Sequence, residues 1–192
     1  MLPLILASSS IYRRELLQRL HLSFTCISPD IDESALAGEG PEQLVCRLAE
    51  EKARAIGSRH RQHLIIGSDQ VAALDGQILG KPHDSTRATA QLQAASGRSI
   101  TFYTGLSVLN SKTGRSQTDC IPFTVHFRTL TEQQIQRYLS IEQPFDCAGS
   151  FKSEGLGVSL FRRTEGSDAT SLIGLPLIRL VDMLNNEGVS VP

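Results

Sequence analysis

The stretch that decides the fold is HLIIGSDQVAALDGQILGKP, which runs from His63 to Pro82. It opens with a short apolar run, which is typical of a buried strand. We predict that this strand breaks at Gly67-Ser68 and carries Asp69 at its end. A second strand is expected to follow at once.

The second half of this stretch predicts a β-hairpin. Asp75-Gly76 is a strong signal for a two-residue turn, and the returning strand should cover residues 77–79. A hairpin of that length brings its ends together, so we expect Asp69 and Lys81 to lie near each other. A carboxylate beside an ammonium at strand ends suits metal or phosphate chemistry, but a common surface ion pair would have the same pattern.

Composition limits the classes of function. The chain has 192 residues, of which 40% are hydrophobic, and this fits one domain with its own core, or two small lobes. The net charge of −1 gives no long-range attraction to membranes or nucleic acid, so a long nucleic acid is not an expected partner. Without a basic leader or an apolar run near ~18 residues, we expect no signal peptide and no membrane span.

The cysteines indicate a cytoplasmic protein. They are widely spaced and include no Cys-x-x-Cys pair, which argues against a structural zinc site and favours reduced thiols. We interpret each of them as a small buried apolar side chain. They are Cys26, Cys46, Cys120 and Cys147.

Strands and helices alternate along the rest of the chain. This pattern predicts an α/β fold of the α+β kind, a curved mixed β-sheet flanked by helices, with two lobes and a cleft between them. We expect one domain over residues 1–192. The predicted strands are 4–7, 23–28, 99–110, 115–128 and 158–161, with 162–168 as a connection. The predicted helices are 11–20, 41–56, 85–96, 131–142 and 176–186.

Three further segments carry candidate functional residues. Ser10 is a plausible N-cap, and free N–H groups at such a helix start attract anions, as do Arg13 and Arg14. The acidic loop 29–34 suits a hard divalent cation. Lys52, at the edge of an apolar helix stripe, either snorkels to solvent or reaches into a cleft. Ordinary caps and solvated charges would leave the same patterns in the sequence.

Four segments together resemble the Maf family of nucleotide pyrophosphatases. Residues 6–17, LASSSIYRRELL, look like its N-terminal signature, and Gly67-Ser68-Asp69 with Gly80-Lys81-Pro82 is similar to its catalytic hairpin. Residues 148–155 resemble its Gly-rich loop, and residues 174–176 resemble the opening of its last helix. The order of the segments agrees, and the resemblance covers nearly the whole chain.

The resemblance implies hydrolysis of a nucleoside triphosphate to a monophosphate and pyrophosphate, assisted by a divalent cation (Mg, Mn or Co). Asp69 would orient and deprotonate the water, or act chiefly as a metal ligand with Glu33. The phosphates would be bound by Ser8, Arg13, Lys52 and Lys81. Arg14 is a weaker candidate because consecutive helix residues point about 100° apart.

Three positions are similar to the branch of the family that hydrolyses 7-methyl-GTP. They are Tyr12, Gln70 and Glu154, and the string Ser-Phe-Lys-Ser-Glu-Gly points the same way. Two departures weaken this assignment, because the branch often has Pro where Ile11 stands and Trp where Tyr12 stands.

The same three positions suggest how the base is read. A 7-methylguanine ring is cationic, so stacking on Tyr12 would give a cation–π contact of about 0.5–2 kcal/mol. Glu154 can accept from the guanine N1–H and amine, which uracil and thymine do not offer together. Gln70 can donate to the guanine carbonyl or hold Glu154. A surface aromatic, a solvated acid and a structural amide remain the alternatives for the three residues.

Two rival functions stay open. One is a Maf-type pyrophosphatase for dTTP, UTP or other modified nucleotides. The other, of a different class, is a non-catalytic nucleotide-binding regulator of cell division, although the intact Asp69 and Lys81 argue against lost activity. A nucleotide is the expected partner, and a homodimer is left open.

The direction of the Gln70 side chain limits its role. A regular strand would face Gln70 away from Asp69, so contact of both residues with one nucleotide needs a bend at Gly67-Ser68, or Gln70 acts only through Glu154.

Overall fold

The computed structural model describes residues 2–191, which form a mixed α/β fold as predicted. The strands are β1 (Leu4–Leu6), β2 (Phe24–Cys26), β3 (Leu64–Leu74), β4 (Gln77–Leu79), β5 (Ser99–Asn110), β6 (Arg115–Phe127) and β7 (Phe161–Gly166). The α-helices are α1 (Ile11–Gln18), α2 (Pro41–Gly57), α3 (Ser85–Ala95), α4 (Glu132–Glu142), α5 (Ala169–Ile173) and α6 (Leu177–Asn186). Within this range, every helix is too short or too polar to cross a bilayer.

The strands form one mixed sheet in the order β2-β1-β3-β5-β6-β7, with β4 paired to β3. β1 runs parallel to both β2 and β3, and Ile5 lies opposite Thr25 on one side and Ile65 on the other. β4 and β7 pair antiparallel to β3 and β6. The prediction of a mixed sheet is therefore confirmed.

The chain divides into two compact units, in agreement with the expected two lobes. Unit 1 contains the described residues up to Gln70, Thr104–Ile121, and those from Asp168 onward, while unit 2 contains Val71–Tyr103 and Pro122–Ser167. Three strands, β3, β5 and β6, contribute residues to both units.

Unit 1 has apolar packing on both faces of its parallel strands. Leu4, Leu6, Leu64 and Ile66 face a cluster that includes the buried leucines of α1 and α6. The alternate residues Ile5, Ala7 and Ile65 face a second cluster with Ala53 and Ile56 of α2. A strand covered on both faces reads as a continuous apolar run, which is the pattern at both β1 and the start of β3.

Unit 2 has an aromatic core. The rings of Phe102, Phe127, Phe151 and Phe161 pack edge to face, with centroids 4.9–5.7 Å apart. Such aromatic pairs contribute about 0.5–1.5 kcal/mol beyond their buried area. Phe151 contacts the other three rings and anchors the middle of the Gly-rich loop.

The predicted break at Gly67-Ser68 is wrong, because β3 continues without interruption from Leu64 to Leu74. Gly67 is required here for packing. A Cβ at this position would overlap the carbonyl oxygen of Ala49 in α2. The glycine therefore lets the helix backbone lie directly against the strand.

The chain from residue 156 to 173 also differs from the prediction. Leu156–Leu160 forms a 3₁₀ turn, and the strand comes later, at Phe161–Gly166, where a connection was expected. Leu156 and Val158 are exposed in this turn, and of the apolar side chains only Leu160 and Phe161 are buried, so the apolar run does not mark a strand. The short helix α5, capped by Asp168, was not predicted.

The interpretation of the cysteines as buried apolar residues is wrong for Cys26, which is exposed on β2. The remaining three are half-buried, and all four are free thiols.

We predict that Gly67→Ala lowers the free energy of unfolding by about 1–3 kcal/mol or more, because backbone atoms of α2 would have to move. Urea unfolding of the purified protein measures this loss. Gly80→Ala is the matched control, since a Cβ there meets open space. Equal stability of the two variants would contradict the packing role of Gly67.

Candidate active site

The centre of the candidate site is Lys52, whose ammonium binds two carboxylates. Its Nζ lies 2.6 Å from Asp69 Oδ1 and 2.7 Å from Glu33 Oε1. Lys52 and Asp69 are 5% and 7% exposed, whereas Glu33 is open to solvent on its loop. The ammonium is not at the surface, so of the two alternatives for Lys52 the snorkelling one is wrong.

Close backbone packing brings Lys52 to this position. α2 lies against β3 at Gly67 and against β5 at Gly105, where a Cβ would overlap the carbonyl oxygen of Val45. The buried stripe of α2 includes Leu48 and Lys52, which are four residues apart and share one helix face. The two glycines thus bring the Lys52 side chain within reach of Asp69 on β3.

The buried charges are balanced within unit 1. A buried ammonium is costly unless it is paired and hydrogen-bonded. Here two carboxylates surround Lys52, and Arg13 supplies a second cation. Burial lowers the pKa of the Arg13 guanidinium, while the negative charges of Asp69 and Glu33 oppose that shift. An arginine stays protonated under such conditions, so the cluster holds two positive and two negative groups.

Arg13 is held by the backbone that precedes α6. Its Nε donates to the carbonyl oxygen of Gly174 at 2.8 Å. The Ser68 hydroxyl lies 2.9 Å from the same oxygen and 2.8 Å from the carbonyl oxygen of Gly105. The two terminal nitrogens of Arg13 have no hydrogen-bond partner in residues 2–191, so they remain available to an anion.

The serine turn after β1 forms the start of α1 as predicted. Ser10 is the N-cap, and its hydroxyl accepts from the N–H of Arg13 at 3.4 Å. The buried Ser8 hydroxyl accepts from the N–H of Ser10 at 3.1 Å. Arg14 lies elsewhere, in the wall of a surface pocket beside β2, which agrees with its weaker candidacy.

The acidic loop that carries Glu33 is held by Arg47 of α2 and by Glu39, which lies just before that helix. Arg47 binds Glu39 through Nε and Nη2 at 2.6 and 2.7 Å, and its Nη2 also donates to the Ser34 carbonyl at 3.0 Å. The two-point contact with Arg47 lowers the pKa of Glu39 to about 2. The loop is therefore attached to α2 on the C-terminal side of Glu33.

Side chains of β3 alternate between two sets of partners. Asp69 faces Lys52, while Ser68 and Gln70 face the segment around α5. The Gln70 Nε2 donates to the carbonyls of Ser171 and Leu172 at 2.7 and 3.1 Å and lies 3.0 Å from Thr104 Oγ1. The strand is regular here, and the bend that would turn Gln70 toward the Asp69 side does not occur. The amide hydrogens of Gln70 are already used within unit 1.

Unit 2 contains Lys81 and the Gly-rich loop. Gln91 of α3 joins them, since its Nε2 donates to the carbonyl of Gly80 at 2.9 Å and its Oε1 accepts from the Ser150 hydroxyl. Burial raises the pKa of the Cys147 thiol, and the positive charges of Lys152 and the exposed Lys81 oppose this shift. The turn of Lys81 and the Gly-rich loop are thus linked inside this unit.

Two of the three residues expected to read the nucleotide base, Tyr12 and Glu154, are exposed. Tyr12 lies in the first turn of α1 and is 37% exposed. Glu154 is exposed at the tip of the Gly-rich loop, where its Oε2 accepts from the Ser153 hydroxyl at 2.9 Å. Sequence reasoning placed Ser68 and Gly174 in family segments without giving them contacts, and it did not single out Gln91, because the partners of all three are distant in the chain.

The donor set fits a hard divalent cation. In the described part of the chain, no three His, Cys, Asp or Glu side chains group as a metal site. Mg²⁺ is commonly held by one or two carboxylates, with water and substrate phosphates as its other ligands. Glu33 and Asp69, brought together on Lys52, are two carboxylates of the kind that would hold such a cation.

The fold and this cluster define an α/β protein with paired carboxylates and cations suited to phosphate chemistry. The family model described as Maf-like protein matches residues 3–187, so the chain belongs to the Maf family.

Relatives in several bacteria are similar over nearly their whole length. A 7-methyl-GTP pyrophosphatase of Pseudomonas savastanoi pv. phaseolicola is 71% identical over 98% of both chains. Proteins with the same name are 67% identical in Pseudomonas aeruginosa, over 98% of both chains, and 55% identical in Idiomarina loihiensis, over 98% of this chain and 96% of the relative.

We predict that Lys52→Met destabilises the protein by about 3–5 kcal/mol, because Asp69 would stay buried without a cation. The double variant Lys52→Met/Asp69→Asn should recover part of this loss. Chemical unfolding of both variants gives the comparison, and Lys112→Met serves as an exposed control. A double variant less stable than the single one would contradict the pairing.

Acid should release the loop that carries Glu33. The pKa of Glu39 is about 2 in the folded state and about 4.5 when unpaired, so its contribution is complete above pH 4.5 and is lost as pH falls toward 2. At pH 4, pepsin should cleave residues 30–40 faster in Glu39→Gln than in the wild type. Asp30→Asn, in the same loop, should behave as the wild type does.

Proposed function

We propose that this protein hydrolyses 7-methyl-GTP to 7-methyl-GMP and pyrophosphate. The observation that carries the proposal is the cluster of Lys52, Asp69 and Glu33 beside Arg13. It combines an oriented carboxylate with buried positive charge, which is what hydrolysis of a phosphoric anhydride needs. The full-length relatives named as 7-methyl-GTP pyrophosphatases support the choice of substrate.

Asp69 is the proposed base. Lys52 donates to its Oδ1, and Oδ2 has no hydrogen-bond partner among the described residues. A water bound to Oδ2 would be oriented and would lose its proton to Asp69 as it attacks phosphorus, while the α–β anhydride bond breaks and the nucleoside monophosphate and pyrophosphate separate.

Positive charge around the phosphates supplies the rest of the catalysis. Phosphoryl transfer depends mainly on positioning and neutralisation of oxygen charge. Arg13 offers its two terminal nitrogens, and the Ser8 turn adds the start of α1. Lys81 has the same role by its place in the family motif. A divalent cation held by Glu33 and Asp69 would polarise the phosphate oxygens when bound.

Selectivity for the base is assigned to Tyr12 and Glu154. Tyr12 would stack on the cationic 7-methylguanine ring, and Glu154 would accept from its N1–H and amine. Gln70 is proposed in a supporting role, because its amide hydrogens already hold α5 and only its Oε1 can take a further partner.

The alternative substrates are dTTP, UTP or other modified nucleotides, and the alternative of another class is a non-catalytic nucleotide-binding regulator of cell division. The Lys52 cluster favours catalysis over both binding alone and a purely structural role. A cytoplasmic location fits the free thiols, and the nucleotide is the partner that the proposal requires.

A nucleotide panel tests the substrate. With Mg²⁺ present, we expect kcat/KM for 7-methyl-GTP to exceed that for UTP and TTP by about 100-fold or more, since a site built for the guanine donors leaves polar groups unpaired with pyrimidines. Release of pyrophosphate and nucleoside monophosphate is measured directly. Equal turnover of UTP and 7-methyl-GTP would move the protein to the pyrimidine alternative.

Substitution of Asp69, the proposed general base, distinguishes an enzyme from a protein that only binds nucleotides. Asp69→Asn keeps the size and one acceptor of the side chain but removes its basicity, so kcat should fall by about 10²–10⁴-fold. Nucleotide affinity, measured by calorimetry in the absence of a divalent cation, should change little. Asp182→Asn, an exposed carboxylate of α6, is the control. Unchanged turnover in Asp69→Asn would rule out its role as the base.

A further inference from the structure

The last turn of α4 carries an acid where helices disfavour one. Glu142 is the final residue of α4, and a carboxylate at this end meets the negative end of the helix dipole. Its side chain is nonetheless only 18% exposed. A half-buried acid in an unfavourable position indicates that its contacts outweigh this cost.

Those contacts hold the Gly-rich loop on both sides of Glu154. After Glu154, the N–H of Leu156 donates to Glu142 Oε2 at 2.8 Å. Before Glu154, the ammonium of Lys152 donates to the Glu142 carbonyl at 3.0 Å and lies 3.8 Å from its Oε1. One residue of α4 therefore fixes positions 152 and 156, which flank the base-reading acid.

The loop sequence is adapted to this contact. A Cβ on Gly155 would lie 2.7–2.9 Å from the carboxylate atoms of Glu142, closer than van der Waals contact allows. Glycine at 155 is thus what lets the carboxylate reach the N–H of Leu156. Tyr138, one turn earlier on α4, adds a third contact, since its hydroxyl accepts from the N–H of Lys152 at 3.0 Å.

We propose that Glu142 is a positioning residue for substrate selectivity, which clamps residues 152–156 so that Glu154 is presented to the guanine edge. The inference rests on the proposed function, in which Glu154 reads the base. Glu142 itself is held by the loop backbone and Lys152, so its effect on the substrate passes through Glu154. Loss of the clamp should weaken recognition of the correct base while leaving the phosphate chemistry intact.

The test compares two substrates. In Glu142→Ala, kcat/KM for 7-methyl-GTP should fall about tenfold, mainly through a higher KM, because Arg13, Lys52 and Asp69, the residues of unit 1 proposed to act on the phosphates, are untouched. The kcat/KM of this variant for UTP should stay within about twofold of the wild-type value. Glu142→Gln should retain most of the activity, since its amide oxygen still accepts from Leu156. An equal loss for both substrates, or no loss for either, would overturn the inference.

A double-variant cycle tests the clamp without relying on one substitution. Gly155→Ala should produce the same selective loss by displacing the Glu142 carboxylate. The double variant Gly155→Ala/Glu142→Ala should be no worse than either single variant, because both remove one interaction. Independent losses that add up in the double variant would contradict the clamp. Glu132→Ala, an exposed acid of the same helix, is the control and should match the wild type.

Glu154→Gln distinguishes failure of this inference from failure of the proposed function. A wild type without preference for 7-methyl-GTP over UTP overturns both. A preference that is lost in Glu154→Gln but kept in Glu142→Ala overturns only the role of Glu142. A preference lost in both variants supports the clamp.

Discussion

The contact on which the rest of unit 1 depends is the buried ion pair between Lys52 and Asp69. Removing an ammonium from water is costly, and only a close, hydrogen-bonded anion offsets that cost. The pair therefore demands that α2 and β3 lie very near each other, and Gly67 and Gly105 meet that demand by admitting the helix backbone. Glu33 joins the same ammonium, so a packing requirement also assembles two acids in one place.

Alternate side chains of β3 contact different parts of unit 1. Because strand residues alternate, Asp69 faces α2 while Ser68 and Gln70 face the segment before α6. The Gly174 carbonyl accepts hydrogen bonds from both the Ser68 hydroxyl and the Arg13 Nε, and this shared acceptor links the strand to the start of α1. Asp69, the proposed general base, and Arg13, the proposed anion-binding residue, are thus held by opposite faces of one regular strand.

Local signals predicted much of the fold. Pro41 marks the start of α2, and Asp75-Gly76 forms the expected turn, with both residues at positive φ. The errors arose where distant partners decide the outcome. Gly67 was predicted to break the strand, but it allows the backbone of α2 to lie against β3. Residues 158–161 were predicted to form a strand, but only Phe161 pairs with a neighbouring strand, at Phe127. The motif residues of the site were found from family resemblance, whereas their supporting contacts lie far apart in sequence.

The central claim is that the two acids on Lys52 belong to one functional centre. Binding of Mn²⁺ in the presence of pyrophosphate, followed by electron paramagnetic resonance, tests it most directly because the readout does not depend on turnover. We predict one bound ion per chain in the wild type, and binding at least about tenfold weaker in both Glu33→Gln and Asp69→Asn, since each loses an anionic oxygen ligand. Unchanged affinity in both variants would contradict the claim.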